Sequence, residues 1–458
     1  RRMGRGIGRS TVAAGTAVAL ALAVAADAAH EQTSNVCSVE AAPWGAVGDN
    51  ATDATSAIQR CIDDCHRQHP DGAVVVLAGP GTYRITASIA LASNLTLRID
   101  PQTTLFSAVT PAMCPEGYCP DRQHPRCGTS FWTNGPTAVL CGTNLTNVAV
   151  VGAGVNSSFL DGGGWPWYYY TAHVQNGTGL RGPRLYEPMW STNVTLAHVT
   201  LQWAAGWTVH PQFCDGVTAH DIYIHNPRAV GNTDGFDPDS CTDVVLHDTV
   251  IDTGDDGISI KSGNSTACST CEHIQMPSKN IHIYNTKILS RNFCLGSGTF
   301  GGITDLVVED CQIGDDQGSA PWAIKYKSHQ SYAGLLKNHT YRRLRVGKIA
   351  PNSYQQPRGG YFMSIELRYH PLIPNRTCHV NTITDEGDCP IFEDVTFEDI
   401  RVTAAARAGD IAGFKGDLLR GLTFRNVTFD TAPPTGWSCG YVDLDSFTAE
   451  NVVPPINC

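Results

Sequence analysis

A chain of 458 residues with 42% hydrophobic content can bury a large core, and its 45 Gly and 26 Pro imply many turns. Its formal charge of −11 excludes a general affinity for nucleic acid or for anionic membrane surfaces. An acidic substrate would need Lys or Arg placed locally against that repulsion. At the N-terminus Arg1, Arg2, Arg5 and Arg9 precede an apolar run from Thr11 to Ala26 and the small residues Ala26-Asp27-Ala28-Ala29, the order of an export signal. We expect residues 1–29 to be a signal peptide and 30–458 to be one domain, secreted to the extracellular space or cell wall. No later stretch approaches the roughly 20 apolar residues of a membrane span, so the mature chain should be soluble and leave the membrane after signal cleavage.

Seventeen cysteines in an exported chain imply disulfides, and the odd number leaves at least one outside an internal pair. Cys268-x-x-Cys271 has no second CxxC or His pair beside it, so it reads as a disulfide and not a zinc site. No metal and no cofactor is expected. Asn-x-Ser/Thr sequons run from Asn50 to Asn426 and are glycosylation acceptors in a eukaryotic secretory route.

From Thr55 to Cys65 the apolar positions Ala57, Ile58, Cys61, Ile62 and Cys65 mark one face of a helix, with Asp53 or Thr55 as its N-cap. Everything after it reads as β. A short alternating run with an acidic, Asn or Gly turn recurs at Asn193–Leu196, Gly216–Ala219, Asp243–Leu246, Asn280–Ile283, Asp305–Val308, Asp394–Phe397 and Gly421–Phe424. One such unit cannot bury its apolar face alone, whereas stacked units can. The period is too short for propeller blades. It fits a right-handed parallel β-helix whose open first coil is covered by the helix. The segment 107–141, with Cys114, Cys119, Cys127 and Cys141, reads as a disulfide-tied excursion; the part after Thr431 looks irregular.

Two acid motifs fall one coil apart. Asp234 sits in Asn232-Thr233-Asp234-Gly235, and Asp255 with Asp256 in Gly254-Asp255-Asp256-Gly257. Stacked coils would bring them to about 4.8 Å. A glycosidic bond needs one carboxylic acid for the leaving oxygen and one carboxylate to activate water or to attack. Crowding three acids raises at least one pKa, which supplies the acid at mild pH. Gly314-Asp315-Asp316 has no Asn-Thr-Asp on the coil before it and reads as a turn. Asp237 and Asp239 also read as turn or loop residues.

These motifs resemble the polygalacturonase-like glycoside hydrolases, over about Trp44 to Thr431. Trp44-Gly45-Ala46-Val47-Gly48-Asp49 and Leu160-Asp161-Gly162-Gly163-Gly164-Trp165 are similar to two further family phrases, and Gly235-Phe236-Asp237-Pro238-Asp239-Ser240 is closest to the plant-type branch. The resemblance implies single-displacement, inverting hydrolysis of galacturonate-containing pectin by a monomer. Asp255 would be the general acid, with Asp234 and Asp256 holding and activating water. An inverting pair is expected about 6.5–9.5 Å apart.

There are two departures. Where many members have Gly-His-Gly, this chain has Ser290-Arg291-Asn292, so Arg291 would stand where the His is lost. The Arg-Ile-Lys motif appears as Lys325-Tyr326-Lys327, whose lysines share one strand face and suit a substrate carboxylate. Tyr369 resembles the family's substrate-contacting Tyr. The run from Trp165 to Tyr170 could stack on sugar rings or pack within coil turns. Two alternatives stand beside hydrolysis: a β-helix polysaccharide lyase, and a non-catalytic wall-polysaccharide-binding β-helix.

Overall fold

The computed structural model describes residues 35–114, 124–128, 138–173, 182–263, 276–330, 332, 334–351, 359–366, 369, 389–414 and 418–458. The expected signal peptide, Cys268 and Cys271 lie outside them. Among the described residues no helix is long and apolar enough to cross a membrane.

The chain winds as a parallel β-helix with three lines of strands. In the first line Thr192–Ala197, Asp215–His220, Thr242–His247, Ser278–Tyr284, Ile303–Glu309, Leu335–Ile349, Ile391–Ala405 and Arg420–Phe429 pair in that order, all parallel. These are the recurring runs of the sequence, now in register. Val194, Val217, Val244, Ile281, Leu306, Val395 and Leu422 stack inward, each at most 3% exposed. One coil escaped the sequence pattern because His339 occupies the apolar position, paired with Leu306 before it and Val395 after it. Its Nε2 bonds Ile303 O at 2.8 Å and its Nδ1 meets the Tyr326 hydroxyl at 2.9 Å. Burial pushes this imidazole down to about 4, so it stays neutral in the core. Further along, rings fill the interior: Tyr341, Phe397 and Phe424 stack at 5.0 and 4.9 Å.

Sharp corners hold the register. The turn residue before each run adopts positive φ: Asn193 56°, Asp243 54°, Asn280 54°, Asp305 58°, Asn338 58° and Asp394 55°. Asn and Asp tolerate this left-handed region, which is why they mark these corners, with Gly216 and Gly421 at two others. Their amides also bond coil to coil, as in Asn193 to Asn147 at 2.8 Å and Asn338 to Asp305 at 2.7 Å. At a second corner the outward side chains Glu309, Arg342, Glu398, Arg425 and Glu450 alternate in sign on successive coils. Arg342 meets Glu309 at 2.6 Å, and Arg425 lies 4.0 Å from Glu398 and 3.5 Å from Glu450.

Helix α1, Thr55–Gln68, buries Ile58, Cys61, Ile62 and Cys65 and packs on the strands Val36–Ser38, Ala73–Leu77 and Ile89–Ala90. It covers the first coil as terminal repeats require. Ala54 is the N-cap residue, while Asp53 Oδ1 accepts from Thr55 N at 3.0 Å. The reading that everything beyond it is β fails at α2, Trp165–His173. Trp167 anchors this helix by donating from Nε1 to Val109 O at 2.8 Å, and Trp165 and Tyr169 are exposed. The tail is also regular: Thr435–Gly440 and Thr448–Val453 extend two lines of strands, and Cys439 is disulfide-bonded to Cys458.

Cys37–Cys65 and Cys127–Cys141 are the other described pairs, and Cys114 and Cys389 are disulfide-bonded too. Five buried thiols, Cys61, Cys214, Cys241, Cys294 and Cys311, remain reduced among the described residues.

Candidate active site

The third line of strands carries the site. It runs through Ile89–Ala90, Leu140–Thr143 and Tyr186–Met189, then by single bridges Tyr186 to Val209, Val209 to Phe236 and Phe236 to Ile258. It continues as Ile258–Ile260, Phe293–Leu295, Trp322–Lys327, Tyr361–Glu366, Arg407–Ala412 and Thr435–Gly440. The Phe236–Ile258 bridge puts Asp234 opposite Asp256 on adjacent coils, and Gly235 N bonds Asp256 O at 3.0 Å. Asp255 precedes it in the turn. A Cβ at Gly254 would lie 1.9 Å from Val230 O; only glycine lets the acidic turn fold so closely onto the coil before it.

The three acids that the sequence placed one coil apart do meet: carboxylate oxygens of Asp234, Asp255 and Asp256 lie within 4.8 Å of one another. That is closer than the inverting separation expected from the resemblance. Asp234 and Asp256 are buried and Asp255 is half-exposed. Asp255 Oδ2 accepts from Asn232 N at 2.8 Å. Asp256 Oδ1 accepts from Asn292 Nδ2 at 2.9 Å, and its Oδ2 is ion-paired with Lys327. Asp234 Oδ1 is buried without a hydrogen-bond partner among the described residues.

Electrostatics divides the three. Burial, then the negative charges of Asp237 and Asp255, hold the Asp234 carboxyl well above the ordinary range. Burial works the same way on Asp256, but Lys327 and Lys261 with the two hydrogen bonds outweigh it. Its carboxyl falls below the ordinary range and stays ionised.

A second layer was missed in the sequence. Lys261 is 3% exposed, lies 3.3 Å from Asp237 and 4.0 Å from Asp234, and donates to Ser259 Oγ at 2.6 Å. Burial raises Asp237 to about 6 against the pull of Lys261 and His210. His210 Nδ1 meets Glu187 Oε1 at 2.7 Å, its Nε2 lies 3.7 Å from Asp239, and Arg184 pairs with Glu187 at 3.0 Å. Asp237 and Asp239, read from the sequence as turn or loop residues, are buried members of a charge network beside the acids. Asp315, by contrast, behaves as read: it accepts from Gln317 N at 3.0 Å and pairs with Arg228 at 2.7 Å.

Of the expected substrate contacts, Lys325 and Lys327 share a face of Trp322–Lys327, each with its ammonium 5.8 Å from the Tyr369 ring. Lys325 also lies 3.8 Å over Trp322, and Lys327 is committed to Asp256. Register puts Arg291 opposite Asp256 on the next coil. Arg291 is 6% exposed, with φ of 67°, and makes no ion pair among the described residues. Asn292, unnoticed in the sequence, supplies the hydrogen bond from this segment.

Residues 126–449 match the family described as "Glycosyl hydrolases family 28". The chain belongs to that family. Residues 38–119 match a second description, "Rhamnogalacturonase A/epimerase, pectate lyase-like". The chain is 25% identical to a "Probable polygalacturonase" of Vitis vinifera, over 87% of this chain and 76% of that protein. It is 27% identical to a polygalacturonase of Ralstonia solanacearum, over 64% of this chain and 59% of that one. A solved exopolygalacturonase of Thermotoga maritima shares the fold with a TM-score of 0.69 at 20% identity, each chain covered to 91%. Membership makes this protein a glycosidase, and a three-carboxylate site on a β-helix is chemistry suited to one.

Proposed function

We propose that this glycosidase is a secreted hydrolase of galacturonate-containing pectin. The observation that carries the reading is the meeting of three carboxylates, Asp234, Asp255 and Asp256, within 4.8 Å of one another on adjacent coils. Asp255, their half-exposed member, gives its proton to the glycosidic oxygen as the carbon–oxygen bond breaks. Water attacks the anomeric carbon from the opposite side and loses its proton to Asp256, which Lys327 and Asn292 keep ionised. Asp234 borders the same water. Lys325, Arg291 and Tyr369 are proposed contacts for the sugar and its carboxylate.

Occupancy supports inversion: both Asp256 oxygens are engaged, which leaves that carboxylate a poor nucleophile. Retention is favoured by one observation, the separation within 4.8 Å, nearer to the roughly 5–5.5 Å of retaining pairs. Proton NMR of the first-formed anomer decides between them. For hydrolysis itself, Asp255→Asn should abolish release of reducing sugar from polygalacturonate while leaving the circular-dichroism spectrum and melting unchanged. Near-normal activity would refute the assignment, and an unsaturated, ultraviolet-absorbing product would replace hydrolysis by lyase chemistry.

A further inference from the structure

The column of charges at the second corner begins, on earlier coils, with rings. In the register of Glu309 stand Tyr284, His247 and His220, with Ala197 on the coil before them. The next residue of each coil turns the corner in the left-handed region: His198 at φ of 56°, Asp221 and Asp248 at 50° each, and Asn285 at 46°. This corner joins the first and second lines of strands, whereas the acids stand on the third.

His198 takes a corner position that Asp or Asn fills on the coils after it, and there three donor groups meet. Asp221 Oδ2 lies 2.8 Å from His220 Nδ1 and 3.9 Å from His198 Nδ1. One ligand atom from each of the three residues falls within 4.8 Å of the others. A tetrahedral zinc ion with bonds of about 2.0–2.2 Å spaces its ligand atoms roughly 3.3–3.6 Å apart. The two measured separations bracket that spacing.

The frame beneath is rigid. Ala197 pairs with His220, and His198 N bonds His220 O at 3.3 Å. The buried His220 ring lies flat on the His247 ring at 5.0 Å, and the His198 ring stands across it at 5.1 Å and 89°. Asp221 is exposed, so solvent reaches the cluster. The next coil supplies a control, because His247-Asp248 repeats His220-Asp221 with Nδ1 2.6 Å from the carboxylate. There Asn285 Nδ2 donates to Asp248 Oδ1, Tyr284 stacks on the ring at 4.8 Å, and no third ligand residue joins among the described residues. A stacked His–Asp pair is thus the ordinary filling of this column, and His198 is the addition.

We propose that His198, His220 and Asp221 form a site for a divalent cation of the zinc class, which ties two successive coils together. Two imidazoles and a carboxylate suit zinc, copper or nickel better than calcium or magnesium, and water completes the coordination. Each imidazole binds through an unprotonated nitrogen, so a proton there leaves to solvent as the ion enters. The ion holds the folded coils and not the unfolded chain, and therefore raises the melting temperature. Read along the chain, these residues make no metal motif; winding alone brings them together.

The test is calorimetric titration of the full chain, free of any polyhistidine tag and stripped with chelator, with zinc chloride. Zinc should bind and raise the melting temperature. His198→Asn and Asp221→Asn both suit a left-handed corner, so without metal each should melt like the parent. Each should weaken zinc by at least the roughly 10–100-fold that changes around a metal's ligands cost. Cobalt(II) should give the visible absorption of a four-coordinate site in the parent and lose it in both variants. The three active-site acids are the other cluster of close ligand atoms, so Asp255→Asn is the comparison and should bind zinc as the parent does. No zinc binding by the parent, unchanged binding in both corner variants, or binding lost in Asp255→Asn overturns the site.

Discussion

At the scale of single residues, two buried carboxylates are shifted in opposite directions by what touches them. Asp256 depends on Lys327. With Lys327→Met, the carboxylate loses the cation that holds its pKa down, and the acid limb of the pH–kcat/KM profile should move to higher pH. Breaking a buried pair from one side also destabilises by about 3–5 kcal/mol, readable in a urea midpoint. Asp234 has the reverse linkage. Its folded pKa is raised above the model-compound value of 3.8, so the native state holds the proton more tightly than the unfolded chain. The stability this contributes is full below that value and is lost as pH rises through the folded pKa. Asp234→Asn should therefore match the parent near pH 3 and exceed it in stability at neutral pH, with the gap widening on the way up. A flat difference across pH would show that Asp234 is ionised in the native state.

Elements are made here by corners as much as by strands. Asp243, at φ of 54°, allows a direct comparison: Asp243→Gly should cost little, while Asp243→Val should cost about 1–2 kcal/mol, the left-handed penalty for a side-chain-bearing residue. Equal midpoints for the two variants would mean that the corner relaxes. Corner residues were also what made the elements legible. Asn, Asp or Gly before an alternating apolar run marked seven first-line strands correctly, and the two Gly-flanked acid motifs were read as neighbours because one coil separates them. The coil at Leu335–Ile349 was lost because His339, a core residue here, reads as polar. Lys261, Asn292 and Glu187 carried no local signal, since each gains its meaning only from residues stacked on other coils. The short helix Trp165–His173 has aromatic residues on all sides and no apolar stripe, so its period could not be seen.

For the whole molecule, stability accumulates coil by coil, and the ends need covers. α1 supplies one. At the other end the coil of Thr435–Gly440 and Thr448–Val453 sets Trp437 at 5.5 Å and Phe447 at 6.0 Å from Phe424. A chain ending at Asp430 would uncover those rings and two sheet edges. It should aggregate at concentrations where the full chain stays monodisperse, as light scattering would report; a soluble, normally melting product would show that the last coil is dispensable. The fold as a whole was readable because a repeat announces itself many times, whereas no period predicts the path of the Cys-rich excursion.

The column Glu309, Arg342, Glu398, Arg425, Glu450 has a further consequence for winding. Exposed pairs of this kind contribute little each to the finished structure, and the apolar interior alone would accept several orders of coils. A turn that skipped its neighbour would set Glu309 against Glu398 and Arg342 against Arg425. Like charges would then meet at strand spacing, so a misthreaded spiral carries its own penalty and has reason to unwind.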